Sequence, residues 1–401
     1  VRTTPFHPRL SELNDQGLYT HWQGTLSALR YSHAPKHEYF AVRNGVGVFD
    51  SSPLCKYAVR GPDAERLLTG ALVRDVRTVR DGQAAYTLWC DDRGGVMQDG
   101  VLLRRTGEDF LLTAARPALG WFEELATGLE VELEDVTDAF AMLAVQGPRS
   151  RTVLAEVAGL AGAVEGLAWS EHRSATVAGT PVTLSRTGYT GDLGYELVVP
   201  EAAALDVLDA VLEAGRPHSI RPFGEEALMT LRIEAGLPLV DVEWHDSRLA
   251  FTDADRVTPS ELGFGWMLGG VREGRRFVGA EAIRRELSGR TSRWATTGIV
   301  VDWADWDRLH RDAGLLPPKS EHPLPYESML RSGDGESEVG YCTSFVYSPV
   351  LQRHIGIARV RPDLAARGTE LRLELTIAHR TTTVRVATTR MPFFDPERKK
   401  S

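Results

Sequence analysis

Three charged residues sit where apolar neighbours predict a buried surface. Glu196 lies in Gly194-Tyr-Glu-Leu-Val-Val199, a strand pattern with apolar or aromatic residues on both sides. Arg232 follows Leu228 by four residues, so it points with the apolar stripe of a helix predicted over Phe223 to Ala235. Asp99 begins an apolar strand in an earlier hairpin. A buried charge without a partner is costly, so each of these needs one. One solution is structural: Glu196 and Arg232 form an ion pair that only fixes the fold. The other is functional. A carboxylate presents two oxygens to a planar edge carrying two N–H groups, by the geometry of bidentate Arg–carboxylate pairs. A pterin or another aminopyrimidine has that edge, and Tyr189 and Trp266 can wall a flat ring. Both solutions are open at this point.

The elements that must hold these residues are legible in part. Ser185 to Val199 reads strand, glycine-rich turn, strand, with Gly188, Gly191 and Gly194 expected to supply positive φ in the turn. An internal echo precedes it. Tyr57-Ala-Val-Arg-Gly-Pro62 and Ala144-Val-Gln-Gly-Pro148 each read as a strand, Gly-Pro and a helix, followed by a hairpin. A helix against strands, duplicated, predicts an α+β domain with an antiparallel sheet. A further helix is predicted over Lys36 to Gly45, and the first 30 residues read as polar and irregular. After Thr296 short β-like runs predict an all-β module, interrupted by a long polar loop over Asp302 to Glu336. Arg398-Lys-Lys-Ser401 is expected to be a solvated tail.

Composition excludes several classes. A net charge of -9 over 401 residues argues against a general nucleic-acid or acidic-membrane surface. Cys55, Cys90 and Cys342 make neither a disulfide framework nor a zinc pattern, which suits a reducing cytoplasm and no metal. A polar N-terminal stretch and no long apolar run predict neither signal peptide nor membrane span. His37-Glu38 lacks the second histidine of a zinc-protease helix, and no nucleophile elbow or phosphate-binding loop occurs. Gly45-Val-Gly47 lacks the third glycine of a dinucleotide fingerprint. His245-Asp246 reads as a surface pair.

Arg186-Thr-Gly-Tyr-Thr-Gly-Asp-Leu-Gly-Tyr-Glu-Leu197 resembles the signature of the aminomethyltransferase family, the glycine cleavage T-protein and its relatives. Gly94-Gly-Val-Met-Gln-Asp99, Val145-Gln-Gly-Pro148, Leu231-Arg-Ile-Glu-Ala-Gly236 and Gly340-Tyr-Cys-Thr-Ser344 agree in order. The resemblance covers nearly the whole chain. It implies an α+β, three-domain cloverleaf around a central folate site. Residues 1–55 with parts of 225–290 would form a discontinuous folate-site domain, 56–224 a duplicated ferredoxin-like domain, and 291–401 a β-barrel or jelly-roll-like domain. It also implies tetrahydrofolate, or 5,10-methylene-tetrahydrofolate, as cofactor. Glu196 would hold the pterin edge, Tyr189 and Trp266 would enclose the ring, and Arg232 and Arg186 complete the folate-binding group. Asp99 takes the catalytic role near the folate nitrogens, with the donor placed near Tyr86 and Trp89.

Departures from the family pattern bear on the substrate. Gln98-Asp99 stands where the housekeeping enzyme has two adjacent acids, and Tyr86 to Asp92 replaces a more usual Asn-containing segment. The expectation is therefore a cytoplasmic one-carbon transferase, demethylase-like, acting on a small methylated or aminomethyl substrate. A glycine cleavage aminomethyltransferase with a lipoyl-carrier partner, a biosynthetic transferase and a folate-binding regulator are the alternatives.

Overall fold

The structure, a computed structural model, describes every residue except Glu321. The chain folds into two compact units: Val1–Cys90 with Gln98–Leu228 and Pro396–Ser401, and Asp91–Met97 with Met229–Asp395. The first unit opens with α1 (His7–Glu12) and a hairpin of β1 (Leu18–Trp22) and β2 (Thr25–Arg30), turned at Gln23 and Gly24, both at positive φ. Such a two-residue left-handed turn matches strand twist. The stretch expected to be irregular is thus ordered. Its short elements carry too little periodicity to be read. Then come α2 (Pro35–Asn44), β3 (Gly47–Asp50), β4 (Cys55–Arg60), α3 (Ala64–Ala71), β5 (Gln83–Cys90), β6 (Val96–Thr106) and β7 (Asp109–Ala114). They are followed by α4 (Leu119–Leu125), β8 (Glu132–Asp135), β9 (Phe140–Gln146), α5 (Ser150–Glu156), α6 (Ala161–Val164), β10 (His172–Val177), β11 (Thr180–Ser185) and β12 (Gly194–Pro200). Finally α7 (Ala204–Gly215) and β13 (Arg221–Pro222) lead to α8 (Glu225–Glu234), which carries the chain into the second unit.

Duplication is visible in the topology. One sheet runs β5-β6-β7-β4-β8 and the other β10-β11-β12-β9-β3-β13. Strand for strand, β4–β7 correspond to β9–β12 in the same order, with α3 and α5 after the first strand of each set. Gly61 and Gly147 stand at φ 125° and 120°, and a Cβ on either would lie 2.5 Å from a backbone carbonyl oxygen. Only glycine makes that corner without strain. β3 pairs with β9 from Gly47 to Asp50, across the boundary expected near residue 55.

The two sheets bury their facing sides. Leu143, Val145, Leu197 and Val199 pack on Val153, Leu154, Val207 and Leu208 of the helices. Met142 and Val198, on the opposite face, join Ala58, Ala84, Leu103 and Leu111 of the other sheet. β9 and β12 are therefore apolar on both faces, which makes a charge in either stand out.

The second unit holds α9 (Ala280–Gly289), β14 (Ala295–Val301), α10 (Trp303–Asp312), β15 (Ser328–Ser332), β16 (Glu338–Ser348), β17 (Arg353–Val360), β18 (Glu370–Ile377) and β19 (Arg380–Thr389). The six strands close as a barrel in the order β14-β17-β16-β15-β18-β19, since β14 pairs with both β17 and β19. The all-β module is as expected, but the loop over Asp302 to Glu336 is not one loop. Asp302 caps α10 by accepting from the Asp305 amide, and Trp306 is buried in the barrel core. Glu321, within that stretch, lies outside the described residues. No helix among the described residues is long and apolar enough to cross a membrane.

Candidate functional site

Strand parity brings the expected chemistry to one surface of the first unit. Glu196 lies two residues from Val198, so both face the opposite sheet. Asp99 shares the face of Val101 and Leu103, and Tyr86 that of Ala84. The inter-sheet space is apolar where it is closed. Glu196, Asp99 and Tyr86 are half-buried, so this face stays within reach of water at these three residues.

Asp99 and Tyr86 form a pair. The Tyr86 hydroxyl donates to Asp99 Oδ2 at 2.9 Å. Burial pushes the Asp99 carboxyl up to about 6, with the Tyr86 hydrogen bond opposing the rise. Burial first, then the charge of Asp99, holds the Tyr86 hydroxyl well above its ordinary range, so it remains a donor. Tyr189, half-buried in the hairpin turn, is near enough to Tyr86 to interact with it electrostatically. A carboxyl that exchanges its proton near neutral pH suits a general acid or base.

Glu196 is only half committed. Its Oε2 accepts a short hydrogen bond from the Thr187 hydroxyl, which also shares a 2.7 Å bond with Ser185. Its Oε1 accepts none among the described residues. Burial pushes the carboxyl above its ordinary range, and the Thr187 bond works against this. A half-buried carboxylate with one uncommitted oxygen, and a second lone pair left on Oε2, can accept both donors of a pterin edge.

The hairpin glycines act differently from the expectation. Only Gly191, at φ 75°, is in the left-handed region. A Cβ on Gly188 or Gly194 would fall 2.1 or 2.2 Å from Oε1 of Gln146. These two glycines make room for that buried side chain. Gln146 Nε2 donates to the carbonyls of Tyr195 at 3.1 Å and Thr187 at 3.3 Å, and Thr190 donates to its Oε1 at 2.8 Å. Sequence reasoning passed over Gln146 and Thr187. Two glycines flanking an aromatic turn, opposite a glutamine next to Gly-Pro, was the available signal.

Arg186 and the C-terminal segment also need correction. Arg186 is 3% exposed. It donates to the carbonyls of Leu167 at 3.0 Å, Lys399 at 3.2 Å and Ser401 at 2.5 Å. Arg398 holds both oxygens of buried Asp192 at 2.7 and 2.8 Å, and Arg43 lies 3.5 Å from the same carboxylate. The tail expected in solvent is therefore docked on the hairpin, and Arg186 is used to hold it.

In the second unit Arg232 has found its partner. It donates to Glu243 Oε2 at 2.9 Å and to the Ser344 hydroxyl at 2.8 Å, with both charged side chains 2% exposed or less. A bulge in β16 between Cys342 and Ser344 turns both Thr343 and Ser344 onto Glu243. The guanidinium's charge is thus met by Glu243, which sequence reasoning did not single out, and not by Glu196, while its Nε is buried without a hydrogen-bond partner among the described residues. Trp266, on a short helical turn, is 61% exposed and meets Phe264 edge-on with ring centroids 6.5 Å apart. Trp89 has no exposed surface and packs edge-on to Phe122 at 5.5 Å, so it supports the sheet from its core and does not line an opening.

Comparison with known proteins gives the family and the fold. The family model described as GCVT N-terminal domain matches residues 15–269, and that of the glycine cleavage T-protein C-terminal barrel domain matches 312–395. The chain is 34% identical to an aminomethyltransferase of Streptomyces coelicolor, over 88% of this chain and 87% of that protein. It is 32% identical to a trimethylamine-oxide aldolase of Ruegeria pomeroyi, over 99% of this chain but 48% of that protein. The fold is that of the glycine cleavage system aminomethyltransferase T from Bartonella henselae, with a TM-score of 0.80 at 24% identity over 98% of each chain.

Proposed function

The chain belongs to the aminomethyltransferase (GCVT) family and is a folate-dependent one-carbon transferase; on that premise we propose that it takes its one-carbon unit from a small N-methyl compound. The observation that carries this reading is the Tyr86–Asp99 pair. It sets one proton-exchanging carboxyl on the half-open inter-sheet face; Gln98, standing where the housekeeping enzyme has a second acid, is buried on the other face of the strand and accepts from the Arg116 amide at 3.2 Å. The relative named for trimethylamine oxide, aligned along almost all of this chain, points to a methylated amine.

Tetrahydrofolate, when bound, supplies N5 as the atom that carries the one-carbon unit. Everything else falls to the chain. Glu196, oriented by Thr187, holds the pterin edge through Oε1 and the remaining lone pair of Oε2. Tyr189, on the same hairpin, is assigned to stack on the ring. Asp99 holds or releases a proton beside the reacting nitrogen, and Tyr86 keeps that carboxylate oriented. Fixing donor and acceptor side by side supplies much of the acceleration.

Incubation with tetrahydrofolate and a panel of methylated amines, ethers and sulfonium compounds tests the proposal. Mass spectrometry should find 5-methyl-tetrahydrofolate with the amines, because passing a methyl group to N5 and a proton to the departing amine leaves the carbon's oxidation level unchanged. Formation with none of the panel would refute the donor assignment. A second reading rests on the 34% identity to an aminomethyltransferase. Ammonia release from an aminomethylated lipoyl protein, with no product from the panel, would put it first.

A further inference from the structure

The second unit contains an aromatic cluster that the folate reading does not use. Trp303, at the start of α10, and Tyr347, near the end of β16, stand on two sides of the His354 ring. Trp303 stacks on it with centroids 6.2 Å apart at 11°, and Tyr347 meets it at 5.1 Å and 65°. Trp306 and Phe345 close the cluster from within, at 4.2 and 5.5 Å from the same imidazole. Tyr347 and His354 are buried, while Trp303 is 40% exposed, so the cluster opens on the Trp303 side.

A cation already occupies that opening. The ammonium of Lys319 lies 5.7 Å from the Trp303 centroid and 5.6 Å from the Tyr347 centroid. Lys319 is exposed and belongs to the segment between α10 and β15, which has no helix or strand among its described residues. A cation over two aromatic faces is the arrangement used to recognise quaternary ammonium groups. Both distances lie within the range, up to about 6 Å from the ring centroid, in which a cation is attracted by an aromatic face. His354 adds no competing charge at neutral pH, because burial depresses its imidazole to about 4.

We propose that Trp303 and Tyr347 form a binding site for a methylated ammonium cation, and that Lys319 is its built-in competitor. A trimethylammonium head in place of the lysine ammonium would present methyl groups to both rings. The site shares no residue with the folate reading and stands or falls apart from it.

The test is saturation-transfer NMR on the single proton resonance of tetramethylammonium, with the full chain at constant ionic strength. Lys319→Ala should bind about fivefold more tightly than the parent, since one cation–π competitor is removed. Lys319→Gln serves as a second variant with the same expectation. Adding Trp303→Ala to either should return binding to the parent level or below, and ammonium chloride should compete poorly. Equal binding by the parent and both Lys319 variants would overturn the proposal. So would a gain that survives the loss of Trp303.

Discussion

Replacing Asp99 by Asn should make the protein more stable and less active, and the gain in stability should depend on pH in a defined way. Burial raises the Asp99 carboxyl from 3.8 to about 6. The folded state therefore holds this proton more tightly than the unfolded chain does. The sign follows directly: stability falls as pH rises from 3.8 through about 6, and the full penalty is present above that. At about 1.4 kcal/mol per pH unit the penalty is at most about 3 kcal/mol at pH 7.5. It is an upper bound, because Asp99 keeps some contact with water. At pH 5 about half of it, roughly 1.6 kcal/mol, is already present. Asn keeps an acceptor for the Tyr86 hydroxyl and carries no charge to desolvate. Urea midpoints of parent and variant, compared at pH 5 and 7.5, isolate this one group from the others that titrate. The stability gap should widen by about 1.4 kcal/mol between the two pH values. Turnover should fall by about 100-fold or more, as for loss of a positioned acid–base group. A gap that does not change with pH would refute the assigned burial. Unchanged turnover would refute the catalytic role.

Other perturbations separate structural from functional parts. Glu243→Ala leaves the Arg232 guanidinium buried without its carboxylate and should cost about 3–5 kcal/mol by chemical unfolding; adding Arg232→Met should recover most of that, and a double variant as unstable as the single one would contradict the pairing. Arg398→Ala removes both hydrogen bonds to Asp192, so amides of residues 186–194 should exchange with solvent about tenfold faster or more. Unaltered exchange there would show that the docked tail does not hold the hairpin. Gly194→Ala should be strongly destabilising through the Gln146 side chain, whereas Gly191→Ala brings about 1–2 kcal/mol of backbone strain at φ 75°. Equal costs would undo the distinction drawn between the two.

Much of the scaffold was legible because its signals are local. The run Glu370–Ile377 alternates along a barrel strand, one of the short β-like runs expected after Thr296. The hairpin of β11 and β12 was announced by apolar strands around a glycine-rich turn. The Asp302 cap was also readable, as Asp-x-x-Asp before a helix, but the polar composition of the stretch and its prolines outweighed it. Side-chain partners were not legible. Which acid answers Arg232 is decided by a bulge in β16, a hundred residues away, and no periodicity encodes it. Nor does sequence show that Trp89 faces the core while Tyr86, three positions earlier, faces the opposite sheet. That requires knowing which face of β5 is covered by what. The tail illustrates the same limit. Arg398-Lys-Lys reads as solvated charge until Asp192 is found buried beside Arg43 with room for a second guanidinium.

Equilibrium binding of tetrahydrofolate to the parent and to Glu196→Gln tests the central claim most directly. The substitution keeps shape but replaces a carboxylate oxygen by an amide that opposes the pterin donors. Affinity should fall by about 10- to 100-fold, the range for a charge-assisted hydrogen bond, with the fold intact by circular dichroism. Equal affinity in the two proteins would contradict the assignment of Glu196 to the pterin edge, and with it the account of what this hairpin is for.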